Sequence, residues 1–522
     1  MKRIIIIVII ILLSLLVSCS ADAPSTPEHE AHFTAATAPL PYLLPERTLL
    51  AVEIYNLAGR WSEIRAIQAL ARFQDKLLAG TAIRPDQLPL VAGRRLVLAL
   101  VAGSRTIMPL AVLLPPDMDS AEPVLRSLGP NWSVVRARGA LWVAPSNATD
   151  ELEIVAAGDG SSLARVVPLQ EADRRLPAGG LARGWVNPAA LKQLLRSRVE
   201  GKLSGLIDAV GGLLSAELEA VRWIGFRREL EAGRIVTDAI TVYDTRVLPR
   251  EVARVLDPAA TPATLPVPLP ETVVMAAAFR PEPQVALPWL QFLAERNTAG
   301  PLRNVEFWIE EFEEWSNRIL ADDLFGAIGE QAWLLVLDSR STNSPSWTLI
   351  LQAPQSHRAE ATLLDLLDWS VEQAWARTLG LAVPRIRDYR RDGITIHEVA
   401  IRTPFGEVAG PVFAAVDGFL VAAAGEESLQ TGFALVAGGA LAGGVGDHEQ
   451  SFSAHASFWA RGTALAGLVE SSLVLCDVGE HCNTIMMAAA ELLANVSFAS
   501  AQARYEADAM RMHGEILLHG SR

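Results

Sequence analysis

The chain has 522 residues, a formal net charge of −14 and three cysteines, and half of its residues are hydrophobic. That acidity leaves no basic face for a nucleic-acid backbone and argues against electrostatic adhesion to anionic lipid headgroups. After residue 19 no apolar stretch reaches membrane-spanning length without charges or breakers, so the apolar content belongs to folded cores, for which about 480 residues is ample.

The N-terminus begins with Lys2 and Arg3 and continues as an apolar segment, Ile4–Val17, interrupted only by Ser14. A bilayer-spanning helix needs about 20 residues, so this shorter segment suits an export leader. It ends in Leu16-Val17-Ser18-Cys19, which resembles a bacterial lipoprotein signal at all four positions. The resemblance implies that residues 1–18 are removed, that the Cys19 thiol receives a diacylglycerol and that the new amino terminus is acylated. Several acyl chains on Cys19 would hold the protein firmly to a membrane. Ser20 in the next position resembles the sorting signal for the outer membrane, with the protein facing the periplasm. The alternatives are an ordinary secretory leader and a short uncleaved anchor. Loss of Lys2 and Arg3 would bring the mature charge to about −16. Residues 19–42, rich in Ala, Pro, Ser and Thr, read as a flexible tether; His29 and His32 in it read as solvated.

The folded part repeats itself. Leu44-Pro45-Glu46-Arg47-Thr48-Leu49-Leu50-Ala51 returns as Leu269-Pro270-Glu271-Thr272-Val273-Val274-Met275-Ala276. The Gly93 turn and the strand after it return at Gly329, each followed by a second strand that ends in proline, Ile107–Pro116 and Trp347–Pro354. Val155–Leu163 resembles Val421–Leu429, read in both places as a strand leading into a helix. Val221–Val242 and Val496–Leu518 each read as two strands joined by a tight turn. In the last of these Met510, Met512 and Ile516 alternate with Arg511, His513 and Glu515, the period of a half-buried strand. The blocks keep their order, with offsets of 225, 236, 266 and about 275.

Helices are predicted between the strands. Leu57–Leu78 carries Trp61, Ile64, Ile67 and Leu70, and Val305–Leu320 carries an apolar stripe of Trp308, Phe312, Trp315 and Ile319. Leu363–Leu379 and Met486–Leu493 are further candidates. Asp257–Pro270, with four prolines in its last nine residues, separates the halves. The expectation is α+β: two tandem related domains, 43–254 and 269–522, joined by a Pro-rich linker at 255–268. Each would be a mainly antiparallel sheet with helices packed on one face.

The opening Leu44-Pro45-Glu46-Arg47-Thr48-Leu49, followed by an apolar strand, an amphipathic helix, a Gly turn and a strand pair, resembles an uncharacterised family of exported bacterial proteins known only as a domain of unknown function. The resemblance covers most of residues 43–520 and carries no catalytic residues with it.

No constellation points to a reaction. There is no Gly-x-Ser-x-Gly elbow; Ser161 and Ser162 read as a helix N-cap. There is no His-Glu-x-x-His helix, and neither His448 and His455 nor the strand residue His397 fits that spacing. The glycine-rich run Gly438–Gly446 lacks the Lys-Ser/Thr of a phosphate loop. Glu306, Glu310, Glu311, Glu313 and Glu314 read as a solvated helix face. Cys476 and Cys482 remain once Cys19 carries lipid, and in an oxidising periplasm they are expected to form a disulfide; a metal site with His481 lacks a fourth ligand. No catalytic residue, metal or cofactor is assigned. Eight of the thirteen tryptophans follow residue 280, which suits core packing or a groove for a partner. The leading expectation is a lipid-anchored, non-enzymatic binding or scaffold module of the cell envelope, with an envelope protein as partner. The alternatives are a periplasmic carrier of a hydrophobic ligand held between sheet and helices, and an enzyme of unrecognised class.

Overall fold

The structure is a computed structural model. It describes residues 40–518 except for most of 67–85, 249–268 and 281–304, the segments 104–106, 159–161, 200–218, 339–345, 373–383, 442–455 and 468–489, and a few shorter gaps.

Among the described residues nineteen strands form one sheet. The first half supplies β1 (Thr48–Tyr55), β2 (Arg95–Ala102), β3 (Ile107–Leu114), β4 (Trp132–Ala137), β5 (Ala140–Pro145), β6 (Ala182–Val186), β7 (Val221–Glu231) and β8 (Arg234–Tyr243). The second supplies β9 (Val273–Phe279), β10 (Ala332–Leu337), β11 (Ser346–Gln352), β12 (Pro384–Arg391), β13 (Ile394–Thr403), β14 (Gly406–Val408), β15 (Val412–Val416), β16 (Phe419–Ala423), β17 (Ala456–Arg461), β18 (Val496–Glu506) and β19 (Ala509–Leu518). Every ladder between named strands is antiparallel, as short hairpin connections require. The helices are α1 (Leu57–Ala66), α2 (Leu88–Ala92), α3 (Met118–Arg126), α4 (Thr149–Ala157), α5 (Leu169–Arg175), α6 (Pro188–Val199), α7 (Val305–Ser316), α8 (Ser356–Glu372) and α9 (Glu426–Ala437). The fold is α+β.

The halves meet where β8 pairs with β19, in unbroken register from Val242 opposite Ala509 to Arg234 opposite Leu517. Outward from this seam the strand order is β8-β7-β6-β1-β2-β3-β5-β4 on one side. On the other it is β19-β18-β17-β9-β10-β11-β16-β15. The hairpins β7–β8 and β18–β19 correspond residue by residue at a shift of 275, Val221 with Val496 and Tyr243 with Leu518, and each has its register slip at the same place. Two-residue turns with positive φ at both positions, Arg138-Gly139 and Asp417-Gly418, close β4–β5 and β15–β16; their twist suits tight hairpins.

Helices cover both faces, not one as expected. In β1, Leu50, Val52 and Ile54 belong to a core with Leu57 of α1, Val91 of α2, Leu125 of α3 and Ala190 of α6. Ala51, between them, faces a second core with Leu152 and Val155 of α4 and Leu169 and Ala172 of α5. The second half does the same: Val421 and Ala423 pack with Leu429 of α9, while Leu420 and Phe413 pack with Ala359 of α8. The largely apolar runs of β1, β2 and β3, broken inside a strand only by Glu53, are the composition of strands buried on both sides.

Three further expectations change. Val155–Ala157 closes helix α4 rather than forming a strand, so the match of Val155–Leu163 to Val421–Leu429 is in the wrong register; the strand order places α4 against α9 and β5 against β16 instead. Helix α7 ends at Ser316, short of the expected Leu320, and the stripe is only partly covered: Phe312 is buried edge-on against Trp369, with ring centres 5.7 Å apart, but Trp315 and, beyond the helix, Ile319 are exposed. Within the Pro-rich stretch Ala263 is buried in the core that holds Val421 and Leu429 and its carbonyl accepts a hydrogen bond of 2.9 Å from Ser457 Oγ, so this residue lies against the sheet.

Gly184 and Phe226 are cross-strand neighbours, and a Cβ at Gly184 would come within 2.0 Å of Phe226 Cζ. The ring fills the space that the glycine leaves. Gly184→Ala is therefore expected to cost about 1–3 kcal/mol, and shortening Phe226 to Leu in that variant to recover part of it. Urea midpoints of the three proteins check this.

Candidate functional site

The period of two fixes which side chains share a face with the seam. Across seven strands, Glu53, Arg183, Arg227, Asp238, His513, Gln502 and Ser457 are successive register partners. They form a polar row across the α4/α5 face of the sheet. Asp238 and His513 are the central pair, and they are also counterparts at the shift of 275, so each faces the residue that takes its own place in the other half.

Over this pair opens a cavity of about 170 Å³, lined by Leu176, Pro177, Asp238, Gln502, Arg504, Arg511 and His513 among others. Leu176 and Pro177 follow α5, whose last turn crosses the seam. Arg175 grips Asp508 with two hydrogen bonds of 2.9 and 2.7 Å, a paired geometry that fixes orientation as well as contact. Arg511 donates to the Arg175 carbonyl at 2.7 Å and to Glu506 at 2.6 Å, and Arg504 lies 3.3 Å from Glu506.

On the floor, His513 Nδ1 lies 2.9 Å from Asp238 Oδ1 and its Nε2 lies 3.5 Å from Glu515. Arg227 Nη1 donates to Asp238 Oδ2 at 3.1 Å, bonds Glu229, and through Nε reaches the Gly179 carbonyl at 3.1 Å. The hydrogen bond to Asp238 pushes the imidazole above its ordinary value; burial opposes this, and the charges of Asp238 and Glu515 add to it. Burial alone would raise Asp238, but the hydrogen bonds and charges of His513 and Arg227 outweigh it and hold the carboxyl below its usual range. At the far end of the row Glu53 is fully buried. Its desolvation raises it even though Arg95 Nε donates to it at 2.7 Å and Tyr55 at 2.9 Å.

A second buried imidazole, His397 of β13, lies 2.8 Å from Asp388 of β12 through Nδ1 and 3.4 Å from Glu360 of α8 through Nε2. Glu360 also accepts the Ala415 amide at 2.7 Å. This cluster fastens the β12–β13 hairpin to α8.

Cys19, Cys476, Cys482, His448, His455 and Ser161 lie outside the described residues. Ser162 caps a short 3-10 helix, accepting from the Ala164 amide at 3.3 Å. Glu306, Glu310 and Glu314 are exposed, and Glu313 accepts the Leu320 amide at 2.8 Å. Among the described residues no three His, Cys, Asp or Glu side chains form a metal-binding group, and no helix is long and apolar enough to cross a membrane. None of the described tryptophans after residue 280 lines the seam cavity. Asp238 was not singled out in the sequence; its only signal was that it precedes His513 by the offset of the hairpins. No family model, curated protein or solved structure matches this chain.

The two shifts set a pH window for the seam. The raised His513 stabilises fully below the ordinary imidazole value of about 6.5 and loses this as pH rises through its folded value; the lowered Asp238 stabilises above about 3.9 and loses this as pH falls. The wild type should thus lose thermal stability from pH 6 to 9 relative to His513→Gln, which should be flatter over that range. Melting curves of both proteins across the range test it.

Proposed function

We propose that this chain is a lipid-anchored protein of the cell envelope, held by acyl chains on Cys19, that binds a partner rather than transforming a substrate. The observation that carries the anchor is Leu16-Val17-Ser18-Cys19 at the end of a short apolar leader. Its folded body is the product of an internal duplication, with residues 43–254 and 269–522 as the related halves. The shared strand order and the common register slips of β7–β8 and β18–β19 support this.

The seam cavity is the binding site of this reading. It is walled by Leu176 and Pro177 and floored by groups that already hold one another in place, so its shape is set before a ligand arrives. Both nitrogens of His513 face carboxylates, and no hydroxyl or thiol side chain is among the residues lining the cavity, an arrangement suited to recognition more than to nucleophilic chemistry. At about 170 Å³ the cavity is smaller than the several hundred cubic ångströms typical of small-molecule pockets, which favours a protein partner over a hydrophobic cargo.

Radiolabelled palmitate should be incorporated into the wild type and not into Cys19→Ala, and globomycin should cause the unprocessed precursor to accumulate. Label that persists in Cys19→Ala would refute the anchor. Cys476 and Cys482 pair in this reading, so the exported protein should show no free thiol, and reduction should cost roughly 2 kcal/mol. Alkylation before and after reduction measures the first, and denaturant midpoints the second.

A further inference from the structure

The two halves differ most at one end of the sheet. In the first half residues 127–131 join α3 to β4. In the second, residues 373–411 join α8 to β15 and carry β12, β13 and β14. The added hairpin extends the sheet beyond the strands that the halves share, and β12 is its last strand, paired only with β13 among the described residues.

That pairing is regular, eight successive partners from Pro384 opposite Ile401 to Arg391 opposite Ile394, with no bulge. Four of the eight residues are arginine, Arg385, Arg387, Arg390 and Arg391, and all four are exposed, on a chain whose net charge is −14. Arg391 is paired with Glu426, but Arg385 and Arg390 enter no ion pair among the described residues. At the opposite end of the sheet β4, paired only with β5 among the described residues, is contacted by helices: the Ser133 and Thr149 hydroxyls lie 2.5 Å apart, and Arg136 lies 2.6 Å from Asp119 of α3.

An edge strand presents a row of unpaired backbone donors and acceptors, a template for another strand. Like charges placed opposite one another destabilise a strand pair and unlike charges stabilise it, so this edge disfavours a second copy of itself and favours an acidic chain. We propose that the outer edge of β12 receives an extended acidic segment of a partner protein as an added strand. Its alternate carboxylates would lie beside Arg385 and Arg387 on one face, with Arg390 on the other face adding its charge at longer range. Backbone hydrogen bonds would supply affinity and the arginines selectivity. Neither the lipid on Cys19 nor the seam cavity takes part, so this proposal stands or falls separately from the function proposed above.

The test uses the full chain in detergent and a fluorescein-labelled peptide of alternating Glu and Val, about ten residues long, enough to span a strand of ordinary length. The expected result is saturable binding, slowed hydrogen exchange at alternate β12 amides, and affinity lower by roughly tenfold or more in Arg385→Glu/Arg390→Glu and at raised salt. Arg385→Gln/Arg390→Gln, with an unchanged melting temperature, should weaken binding to a lesser degree. Equal binding of an alternating Lys and Val peptide, or unchanged β12 exchange at saturating peptide, would overturn the proposal. So would unaltered affinity in both arginine variants. Preferential binding to phosphatidylglycerol vesicles that displaces the peptide would overturn it in favour of a lipid surface.

Discussion

The β8–β19 ladder is the constraint on which the rest of the architecture depends. Two halves with the same strand order are joined there edge to edge, so the residue at the centre of the ladder must face the residue that occupies its own position in the other half. Between two identical chains, that geometry would set aspartate against aspartate or histidine against histidine, and like charges in a partly buried site repel. Within one chain the two positions can differ. Asp238 and His513 do, and the clash becomes a charge-assisted hydrogen bond that favours one register, since a slip of one residue would send both side chains to the other face.

The same freedom shows along the whole polar row. Glu53, Arg183 and Arg227 have Ala278, Ser457 and Gln502 as their counterparts by strand order and register. One half holds a charged chain of partners and the other small or neutral ones. Packing differs between the halves in a compensating way on the opposite face. In the first half the Phe226 ring lies over Gly184; in the second Phe458 of β17 faces Ala501 of β18, so bulk has moved to the neighbouring strand while the pair keeps one large and one small member. Close-packed interiors tolerate volume exchanged between contacting positions far better than volume added.

Much of the strand pattern was legible in the sequence because period-two alternation survives wherever one face is wet, as in Met510–Ile516. Where both faces are buried, alternation vanishes, and the run Leu49–Ile54, apolar at every position but Glu53, carried that information in its near lack of polar breaks. The Val155–Leu163 match misled because alanine and glycine serve helix ends and strand ends alike, and only the neighbouring strands reveal which is meant. The Asp238–His513 pair was invisible for a different reason. Its partners are hundreds of residues apart, and cross-strand contact follows from sheet order, which no local pattern encodes.

Joining the halves also changes what the sheet exposes. Two separate sheets would offer four open edges, each a site for unwanted pairing; the ladder between β8 and β19 consumes two of them. Of the two that remain, β4 is fastened to the helices beside it. The other is not left at β15, where the shared strand order ends, but carried outward by β13 to β12 and studded with arginine. The sheet is therefore continuous at its centre, and one of its two outer edges is extended by a strand whose charge is opposite to that of the body.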